Sequence, residues 1–339
     1  MVQARRGALV LAALLAAAAV RPSRADDASL PAGVVRALRL EAPTILVTDS
    51  GLGGLSVLAD LEAGFRAARP FRSVTLVFAN ALPDTALTYN DMPTKEGKVA
   101  TFDRALDGMV AAYRPDLVLV ACNTLSVLYP ETRFAARGDV PVLGIVDAGA
   151  DALAGRLRSE PGAVALLLGT PTTIASGSHA RALTGRGVAP GRIVGQACPG
   201  LETEIQADPG GDLVRALVEA YAGQAREALA PLSPRRVVAG LCCSHYGYSR
   251  RAFEEILPAE LGEAVDVIDP NAEMSRALLA RVRPGAFPET VTRVEVVSRA
   301  ELRPGEREAI AAAVGARSPK TAEALRAYRR RPDLFTLPK

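Results

Sequence analysis

Short runs of apolar residues alternate with longer stretches in which apolar and polar residues recur at helical spacing. The short runs are rich in β-branched residues or leucine, and they predict strands at residues 44–48, 74–79, 117–121, 141–146, 163–169, 192–195, 236–241 and 265–268. The clearest amphipathic stretches predict helices at residues 94–112, 211–228 and 249–257. Strands and helices therefore alternate over most of the chain.

The predicted strands are apolar throughout and do not alternate between apolar and polar residues. Strands of this kind are buried on both faces, which is typical of a parallel sheet covered by helices. With 339 residues the chain is long enough for about two domains. We therefore expect an α/β fold with two doubly wound parallel-sheet domains. Ligands bind at the carboxyl ends of such strands, so we expect the active site in the cleft between the domains.

The first 25 residues have the pattern of a secretory signal peptide. Arg5 and Arg6 precede an unbroken apolar run at residues 8–20, and small residues follow at 23–25. The apolar run is too short for the roughly 20 residues that span a bilayer. We expect cleavage after Ala25, no stable membrane insertion after that, and a periplasmic or secreted mature protein.

Charge and composition exclude several classes of protein. The formal charge of +3 comes from 40 basic and 37 acidic residues, and loss of the leader would remove four arginines and give a charge of −1. A nearly neutral chain is not expected to bind nucleic acid. With 49% hydrophobic residues and four cysteines, the chain is neither disordered nor a disulfide-stapled module. We expect a small-molecule partner, and the oligomeric state stays open, with a homodimer among the expectations.

Two predicted strands end in a cysteine that is followed by small polar residues. Residues 119–124 are Leu-Val-Ala-Cys-Asn-Thr, and residues 240–245 are Gly-Leu-Cys-Cys-Ser-His. Cys122 and Cys243 thus lie at strand-to-helix turns, where a helix N-terminus lowers the pKa of a thiol. A lone cysteine there is more often a buried structural residue than a catalytic one. Because the turns lie in different halves of the chain, we expect the two thiols to face each other across a cleft.

A thiolate and a thiol on opposite sides of a substrate suit the inversion of a carbon centre. One removes a proton from the carbon, and the other delivers a proton to the opposite face. Racemases that use pyridoxal phosphate hold it on a lysine. The four lysines lie at a polar helix start or near the C-terminus: Lys95, Lys98, Lys320 and Lys339. We therefore expect no cofactor.

Cysteines can also act as nucleophiles beside a histidine or bind zinc. A Cys–His nucleophile requires a histidine beside the thiol, and only His179 and His245 are present. His245 is too close in sequence to Cys243 for the usual geometry, whereas the fold would have to bring His179 near Cys122. The cysteines and histidines show no paired zinc-ligand spacing, so no metal site is expected.

Four segments carry a resemblance to a known family. They are Asp-Ser-Gly-Leu-Gly-Gly-Leu-Ser-Val at 49–57, Ala-Cys-Asn-Thr at 121–124, Gly-Thr-Pro-Thr-Thr-Ile at 169–174 and Leu-Cys-Cys-Ser-His-Tyr at 241–246. The first lacks the Gly-x-Gly-x-x-Gly spacing of a dinucleotide loop. Together the segments resemble the glutamate racemase family, within the cofactor-independent aspartate/glutamate racemases, over about residues 44–269. The resemblance implies an isomerase that racemises an amino acid.

The resemblance also implies how the domains are divided along the chain. The first domain would be discontinuous and comprise residues 41–146 plus 263–298, and the second would comprise residues 147–262. Residues 299–339 are charged and contain prolines at 304, 319 and 332 as well as at 338, and we expect them to form a peripheral tail of short helices.

The family pattern assigns roles to individual positions. Cys122 and Cys243 would be the paired acid/base thiols, with Asp49 and His245 each assisting proton movement at one of them. The substrate's amino and carboxylate groups would be held by small polar side chains and one tyrosine: Ser50, Tyr89, Asn123, Thr124, Thr170, Thr173 and Ser244.

Several positions depart from the family pattern. The Pro-Tyr-Gly turn that contacts substrate in the family keeps only Tyr89, and Cys242, Ser244 and Gly247 replace a Gly, a Thr and a Pro around the second catalytic cysteine. An acidic residue near the site is replaced by Gln206. Glu202 and Glu204 are alternatives for that role, and His179 lies where a tyrosine is common, so it is not assigned to catalysis.

The leader conflicts with the ordinary role of the family. The resemblance implies a cytoplasmic enzyme that supplies D-glutamate for cell-wall precursors, whereas an exported relative would act outside the membrane. We therefore carry two hypotheses from the sequence. The first is an exported racemase of glutamate or aspartate, and the second is a catalytically silent relative that binds an amino acid or a similar metabolite. Outside the cytoplasm the thiols would also be open to oxidation, for example between Cys242 and Cys243.

Overall fold

The structure is a computed structural model and describes residues 30–338. Within this range the chain forms the strands β1 (Thr44–Asp49), β2 (Ser73–Asn80), β3 (Leu117–Val120), β4 (Val142–Gly144), β5 (Val164–Gly169), β6 (Ile193–Ala197), β7 (Arg236–Cys242), β8 (Ala264–Ile268), β9 (Val291–Ser298) and β10 (Arg329–Arg330).

The α-helices in the same range connect and cover these strands. They are α1 (Ala32–Ala37), α2 (Leu55–Ala68), α3 (Lys95–Tyr113), α4 (Asn123–Leu128), α5 (Arg133–Arg137), α6 (Ile145–Ser159), α7 (Pro171–Ala175), α8 (Ser178–Gly185), α9 (Leu201–Ala207), α10 (Asp212–Leu229), α11 (Arg250–Leu261), α12 (Pro270–Leu279), α13 (Pro304–Gly315) and α14 (Pro319–Arg326). In this part of the chain no helix combines the length and the apolar character that crossing a bilayer requires.

The strands form two separate parallel sheets, which confirms the predicted α/β fold with two domains. One sheet has six strands in the order β10-β9-β2-β1-β3-β4, and the other has four in the order β6-β5-β7-β8. Both strand orders reverse direction along the chain, which is the doubly wound arrangement. The carboxyl ends of the central strands therefore lie next to a crevice in each sheet.

Each sheet is buried on both faces, as the uniformly apolar strands predict. In β1, Ile45 and Val47 pack into one apolar cluster, whereas Leu46 packs into another on the opposite face. In β5, Leu166 and Leu167 divide in the same way between two clusters of the second domain. Successive side chains of a strand point to opposite faces, so this distribution requires helices on both sides of each sheet.

The predicted division between the domains was wrong at one strand. Residues 263–298 were assigned to the first domain, but β8 pairs with β7 in the second sheet, with Val265 beside Val237. The chain returns to the first domain through α12, which packs against α2 and α6. The second domain therefore extends through Ile268. A strand's apolar run does not reveal which sheet it joins, because pairing depends on contacts distant in sequence.

The C-terminal segment is not the peripheral tail that its charged sequence predicts. Strand β9, which the apolar pattern missed, pairs with β2 along its whole length, and β10 pairs with β9. In the segment beyond β9, Ile310 and Leu325 are fully buried in the same cluster as Ile45, and Phe335 packs on the opposite face of the sheet. Residues 299–338 are thus an integral part of the first domain.

Truncation of a buried side chain in this segment is expected to destabilise the protein. Leu325 of α14 is fully buried, so Leu325→Ala removes apolar contacts and leaves a cavity, at a cost of about 3 kcal/mol in the free energy of unfolding. Leu213→Ala is the matched control, because Leu213 is 56% exposed, and it should change stability by less than about 0.5 kcal/mol. Urea unfolding measures both. Equal effects of the two substitutions would contradict an integral C-terminal segment.

Candidate active site

The two cysteines predicted to be catalytic meet in one cavity between the domains. Cys122 lies between β3 and α4 in the first domain, and Cys243 follows β7 in the second. Both are buried, with 4% and 6% of their surface exposed. Strand ends from two different sheets thus bring together two thiols that are 121 positions apart in the sequence.

The cavity is small and lined by polar side chains. Its volume is about 20 Å³, and its lining residues are Ser50, Asn90, Cys122, Asn123, Thr124, Thr170, Glu202, Cys243, Ser244 and His245. That volume suffices for about one water molecule. An amino acid is several times larger, so the domains must separate for it to enter. A second cavity of about 260 Å³ adjoins the first and shares Ser50, Asn90, Glu202 and His245 with it.

Cys122 is held by the turns on either side of it. Its Sγ lies 3.1 Å from the Ser50 Oγ and accepts a hydrogen bond from the Leu125 backbone N at 3.4 Å, so the thiol caps α4. Burial and the nearby charge of Asp49 raise the pKa of Cys122 to about 12. The helix N-terminus was expected to lower this pKa, but desolvation of the thiolate exceeds that effect in the closed cavity.

Cys243 is paired with the histidine two residues further along the chain. The Cys243 Sγ lies 3.8 Å from the His245 Nδ1. Burial and the charge of Glu202 raise the pKa of Cys243 well above its usual value, and burial lowers the pKa of His245. In the closed structure at neutral pH, Cys243 is therefore a thiol and His245 a neutral imidazole.

Three threonines form a hydrogen-bonded cluster that joins the domains. The Thr124 Oγ1 in α4 lies 2.9 Å from the Thr170 Oγ1 and 3.3 Å from the Thr173 Oγ1, and Thr170 caps α7 by accepting from the Thr173 backbone N. Thr124 and Thr170 line the cavity and Thr173 lies behind them. The structure thus brings together all three threonines predicted from the sequence.

His179 supports a neighbouring side chain and not a thiol. Its Nε2 lies 2.9 Å from the Asn123 Oδ1, and burial lowers the pKa of His179 to about 4. A neutral histidine in this position orients the Asn123 amide, whose Nδ2 is buried and has no partner among residues 30–338. This geometry weakens the alternative of a nucleophilic Cys122 with His179 as its base.

Tyr89 lies beside the small cavity and not in it. Its ring packs edge-on against Phe102 with centroids 6.5 Å apart, and it lines the larger adjoining cavity. Its hydroxyl is buried without a hydrogen-bond partner in the described part of the chain. The altered turn around Tyr89 therefore still directs this side chain toward the approach to the site.

Two lining residues were not among the predicted site residues. The Asn90 Nδ2 donates to the Glu202 Oε1 at 2.9 Å, which links the loop after β2 to α9 of the other domain. Glu202 was considered only as a substitute for an acidic residue near Gln206, and Asn90 had no assigned role. Neither has a local signal, because Asn and Glu are common on loops and helices.

Glycines in the turn after β1 permit the close approach of the domains. A Cβ on Gly53 would lie 2.3 Å from the Ser244 Oγ and 2.7 Å from the His245 backbone N. A Cβ on Gly54 would lie 2.8 Å from the Ala121 Cβ. The glycine-rich segment thus lets the backbone of one domain come close to the other.

Several buried polar atoms of residues in or next to the site have no hydrogen-bond partner among residues 30–338: Asp49 Oδ2, Asn90 Oδ1, Asn123 Nδ2 and Glu202 Oε2. An unpaired buried polar group costs about 1–3 kcal/mol, so such groups are expected where a ligand pairs with them. Three of the four are acceptors, which suits an ammonium group. No cluster of three or more potential metal ligands is found in the same range of the chain.

Comparison with known sequences identifies the family of the chain. The profile of the family described as Asp/Glu/Hydantoin racemase matches residues 45–278. A glutamate racemase of Microcystis aeruginosa is 31% identical over 237 residues, which are 68% of this chain and 73% of that protein. A glutamate racemase of Aquifex pyrophilus is 28% identical over 235 residues, 68% of this chain and 80% of that protein.

Solved structures show the same fold. The crystal structure of glutamate racemase from Francisella tularensis in complex with D-glutamate superposes with a TM-score of 0.60 and 16% identity, covering 81% of this chain and 94% of that one. Glutamate racemase from Aquifex pyrophilus has a TM-score of 0.54 and 24% identity, with coverage of 80% and 95%.

The fold and the matched sequence define an isomerase of the amino-acid racemase class. The chain belongs to the Asp/Glu/hydantoin racemase family, and the relatives that it matches are glutamate racemases.

The buried thiols predict a loss of stability at alkaline pH. Burial raises the pKa values of Cys122, Cys198 and Cys242 from 9.0 to about 12. The folded chain therefore keeps thiol protons that the unfolded chain releases. The contribution of these buried thiols to the free energy of unfolding is complete below about pH 9 and is lost as the pH rises through about 12. Between about pH 8 and pH 10 each thiol should lower the free energy of unfolding by roughly 1 to 2 kcal/mol.

Urea unfolding with a reductant at these two pH values measures the loss. Replacement of both Cys198 and Cys242 by alanine should reduce the difference in the free energy of unfolding between the two pH values by about 3 kcal/mol. An unchanged difference in this double variant would show that the thiols do not carry the effect.

Proposed function

We propose that the protein is an exported racemase of a small acidic amino acid, glutamate or aspartate, and that Cys122 and Cys243 are its two acid/base groups. The observation that carries this proposal is that the two thiols line one buried cavity from different domains. A substrate between them would present one face of its Cα to each thiol.

The reaction needs one thiolate and one thiol. The thiolate takes the proton from Cα, the bonding electrons stay on the carbon as a carbanion next to the carboxylate, and the opposite thiol donates its proton to the other face. Each round exchanges the protonation states of Cys122 and Cys243, so the reverse reaction starts from the product state. The thiol proton and the Cα proton therefore balance without a redox step.

Burial opposes formation of the thiolate, so the bound substrate has to stabilise its negative charge. Both cysteine pKa values are raised in the closed cavity. The ammonium group of a bound amino acid would bring a positive charge that lowers them. The carboxylate of Glu202, which lines the cavity, and the nearby carboxylate of Asp49 would pair with this charge. His245 can accept the proton of Cys243, from which its Nδ1 is 3.8 Å away.

The site also supports chemistry without pyridoxal phosphate. The described lysines are engaged away from the small cavity: the Lys95 Nζ with Glu131, the Lys98 Nζ with Thr172 and the Lys320 Nζ with Thr292. In place of lysine side chains, hydroxyl groups would donate hydrogen bonds to the carboxylate oxygens of the substrate. These hydroxyl groups belong to Ser50, Thr124, Thr170 and Ser244. Glutamate is supported by the relatives described above, which are glutamate racemases, and aspartate by the description of the family profile.

Exchange of the Cα proton in heavy water tests the proposed chemistry. The protein without residues 1–25, kept reduced, is incubated with each enantiomer of glutamate and of aspartate. Deuteration at Cα and the circular dichroism of the amino acid are followed. We expect both signals with one of these amino acids, and a loss of about 10³-fold in racemisation for Cys122→Ala and for Cys243→Ala.

Cys242→Ala is the matched control for these variants. Cys242 is the last residue of β7 and directly precedes Cys243, but its side chain is fully buried in the core of the second domain. The control should keep its activity within a few fold while losing some stability. Binding of an amino acid without any deuteration would refute the racemase proposal and favour the silent relative.

We also propose export, on the pattern of residues 1–25, which lie outside the described residues. Residues 1–30 fused to a reporter that is active only outside the cytoplasm should give an exported product whose N-terminus is Asp26. The control fusion carries Leu14→Arg and Leu15→Arg, which interrupt the apolar run and should block export. Retention of the unchanged fusion in the cytoplasm would refute the proposed export.

A further inference from the structure

The orientation of the Gln206 amide is fixed from two sides. Its Oε1 accepts a hydrogen bond from the Leu52 backbone N at 2.8 Å, and its Nε2 donates to the Glu306 Oε2 at 2.8 Å. A backbone N–H only donates and a carboxylate only accepts. A flipped amide would place its NH₂ against the N–H and its oxygen against the carboxylate, so only one orientation satisfies both neighbours.

This orientation determines which nitrogen of His245 carries the proton. The His245 Nε2 lies 2.9 Å from the Gln206 Oε1, which is an acceptor, so Nε2 must be protonated and donate. In the neutral ring the other nitrogen, Nδ1, then has a free lone pair. That lone pair lies 3.8 Å from the Cys243 Sγ. The ring is therefore set to accept a proton from the thiol.

Close packing holds the imidazole and the amide together. A Cβ on Gly51 would lie 2.9 Å from the His245 Cε1 and 3.0 Å from the Gln206 Oε1. The turn after β1 thus packs directly against both groups, and this close contact requires a residue without a side chain.

Glu306 comes from a part of the chain outside the family match. It lies in the first turn of α13, whereas the match ends at residue 278. Its Oε2 accepts from Gln206, and its Oε1 pairs with Arg303 at 3.0 Å. Only 13% of its side chain is exposed, although the neighbouring Arg303 is 59% exposed. The carboxylate is therefore turned inward, toward the second domain.

We propose that Glu306 is a positioning residue for the reaction: through Gln206 it holds His245 as the Nε2–H tautomer, with Nδ1 directed at Cys243. The catalytic part of this inference rests on the proposed function, whereas the tautomer does not. On transfer, the S–H bond of Cys243 breaks and an Nδ1–H bond forms. A thiolate and an imidazolium result, and the Nε2–H continues to donate to Gln206.

The chain offers a direct test by nuclear magnetic resonance, since His179 and His245 are its only histidines. Long-range proton–nitrogen correlations distinguish a protonated ring nitrogen from an unprotonated one, and His179→Gln assigns the two rings. At about pH 8, where imidazole is neutral, we expect His245 in the unaltered protein to show a protonated Nε2 and an unprotonated Nδ1. An Nδ1–H tautomer would overturn the proposal.

Substitutions at Glu306 give the second readout. Glu306→Gln retains an acceptor oxygen for the Gln206 amide and should keep the same tautomer. Glu306→Ala removes one of the two groups that fix the amide, so that only the Leu52 N–H still opposes its rotation, and a fraction of the Nδ1–H tautomer should appear beside the Nε2–H form. Glu308→Ala is the matched control in the same helix, since Glu308 pairs with Arg326 at the surface, and it should change nothing at His245. A single Nε2–H tautomer in Glu306→Ala would overturn the role of Glu306.

Kinetics of the same variants separate this proposal from the proposed function. Glu306→Ala should lower kcat by about tenfold with KM nearly unchanged, because Glu306 acts through Gln206 and His245. Glu306→Gln and Glu308→Ala should stay within about twofold of the unaltered enzyme. An unchanged kcat in Glu306→Ala despite a mixed tautomer would refute the catalytic consequence. Absence of racemisation in the unaltered protein would instead refute the proposed function, and the spectra would still decide the tautomer.

Discussion

The close approach of two turns across the domain boundary is the contact on which the site depends. The turn after β1 brings Gly53 against Ser244, at a distance that no side chain at residue 53 would permit. This contact places the carboxyl end of β7 over the carboxyl ends of β1 and β3, and the two thiols become neighbours of one cavity. The Tyr248 hydroxyl secures the same turn by donating to the Leu52 and Gly53 carbonyls. Because the cysteines come from different sheets, relative movement of the domains changes their separation without unfolding either core.

Local patterns predicted the strands that are buried on both faces, and they failed where burial is partial. β1, β3 and β5 read as unbroken apolar runs because helices cover both of their faces. β9 escaped prediction because Arg293 and Glu295 interrupt its apolar residues and its first residues are partly exposed. The placement of β8 failed for another reason. An apolar run predicts burial, but the partner strand is chosen by contacts that are distant in sequence. The same limit applies to the C-terminal segment, whose buried face was hidden among exposed charges.

The residues of the site fall into the same two groups: those with a local sequence signal, and those whose role depends on contacts distant in sequence. Cys122, Cys243 and the small polar residues beside them follow strands directly, so the rule that ligands bind at carboxyl strand ends was enough to bring them together. Glu306 had no such signal. It lies in a charged helix, and its relation to Gln206, 100 residues away, exists only because α13 packs against α9. Gln206 departs from the family pattern in the sequence itself. The carboxylate of Glu306, which accepts a hydrogen bond from the Gln206 amide, could be found only in three dimensions.

Closure of the cavity creates an electrostatic conflict that a substrate is suited to resolve. Desolvation raises both thiol pKa values and lowers that of His245, while the unpaired oxygens of Asp49 and Glu202 add negative charge. All of these effects oppose a thiolate. A bound ammonium group reverses their sign, since it satisfies the carboxylates and favours negative charge on sulfur and on Cα. The closed, ligand-free site therefore holds its thiols protonated, which also makes them poor targets for oxidation. Under the proposed function, reactivity would appear only when a zwitterion lies between the two cysteines, and this coupling would protect the thiols in the oxidising compartment that the proposed export implies.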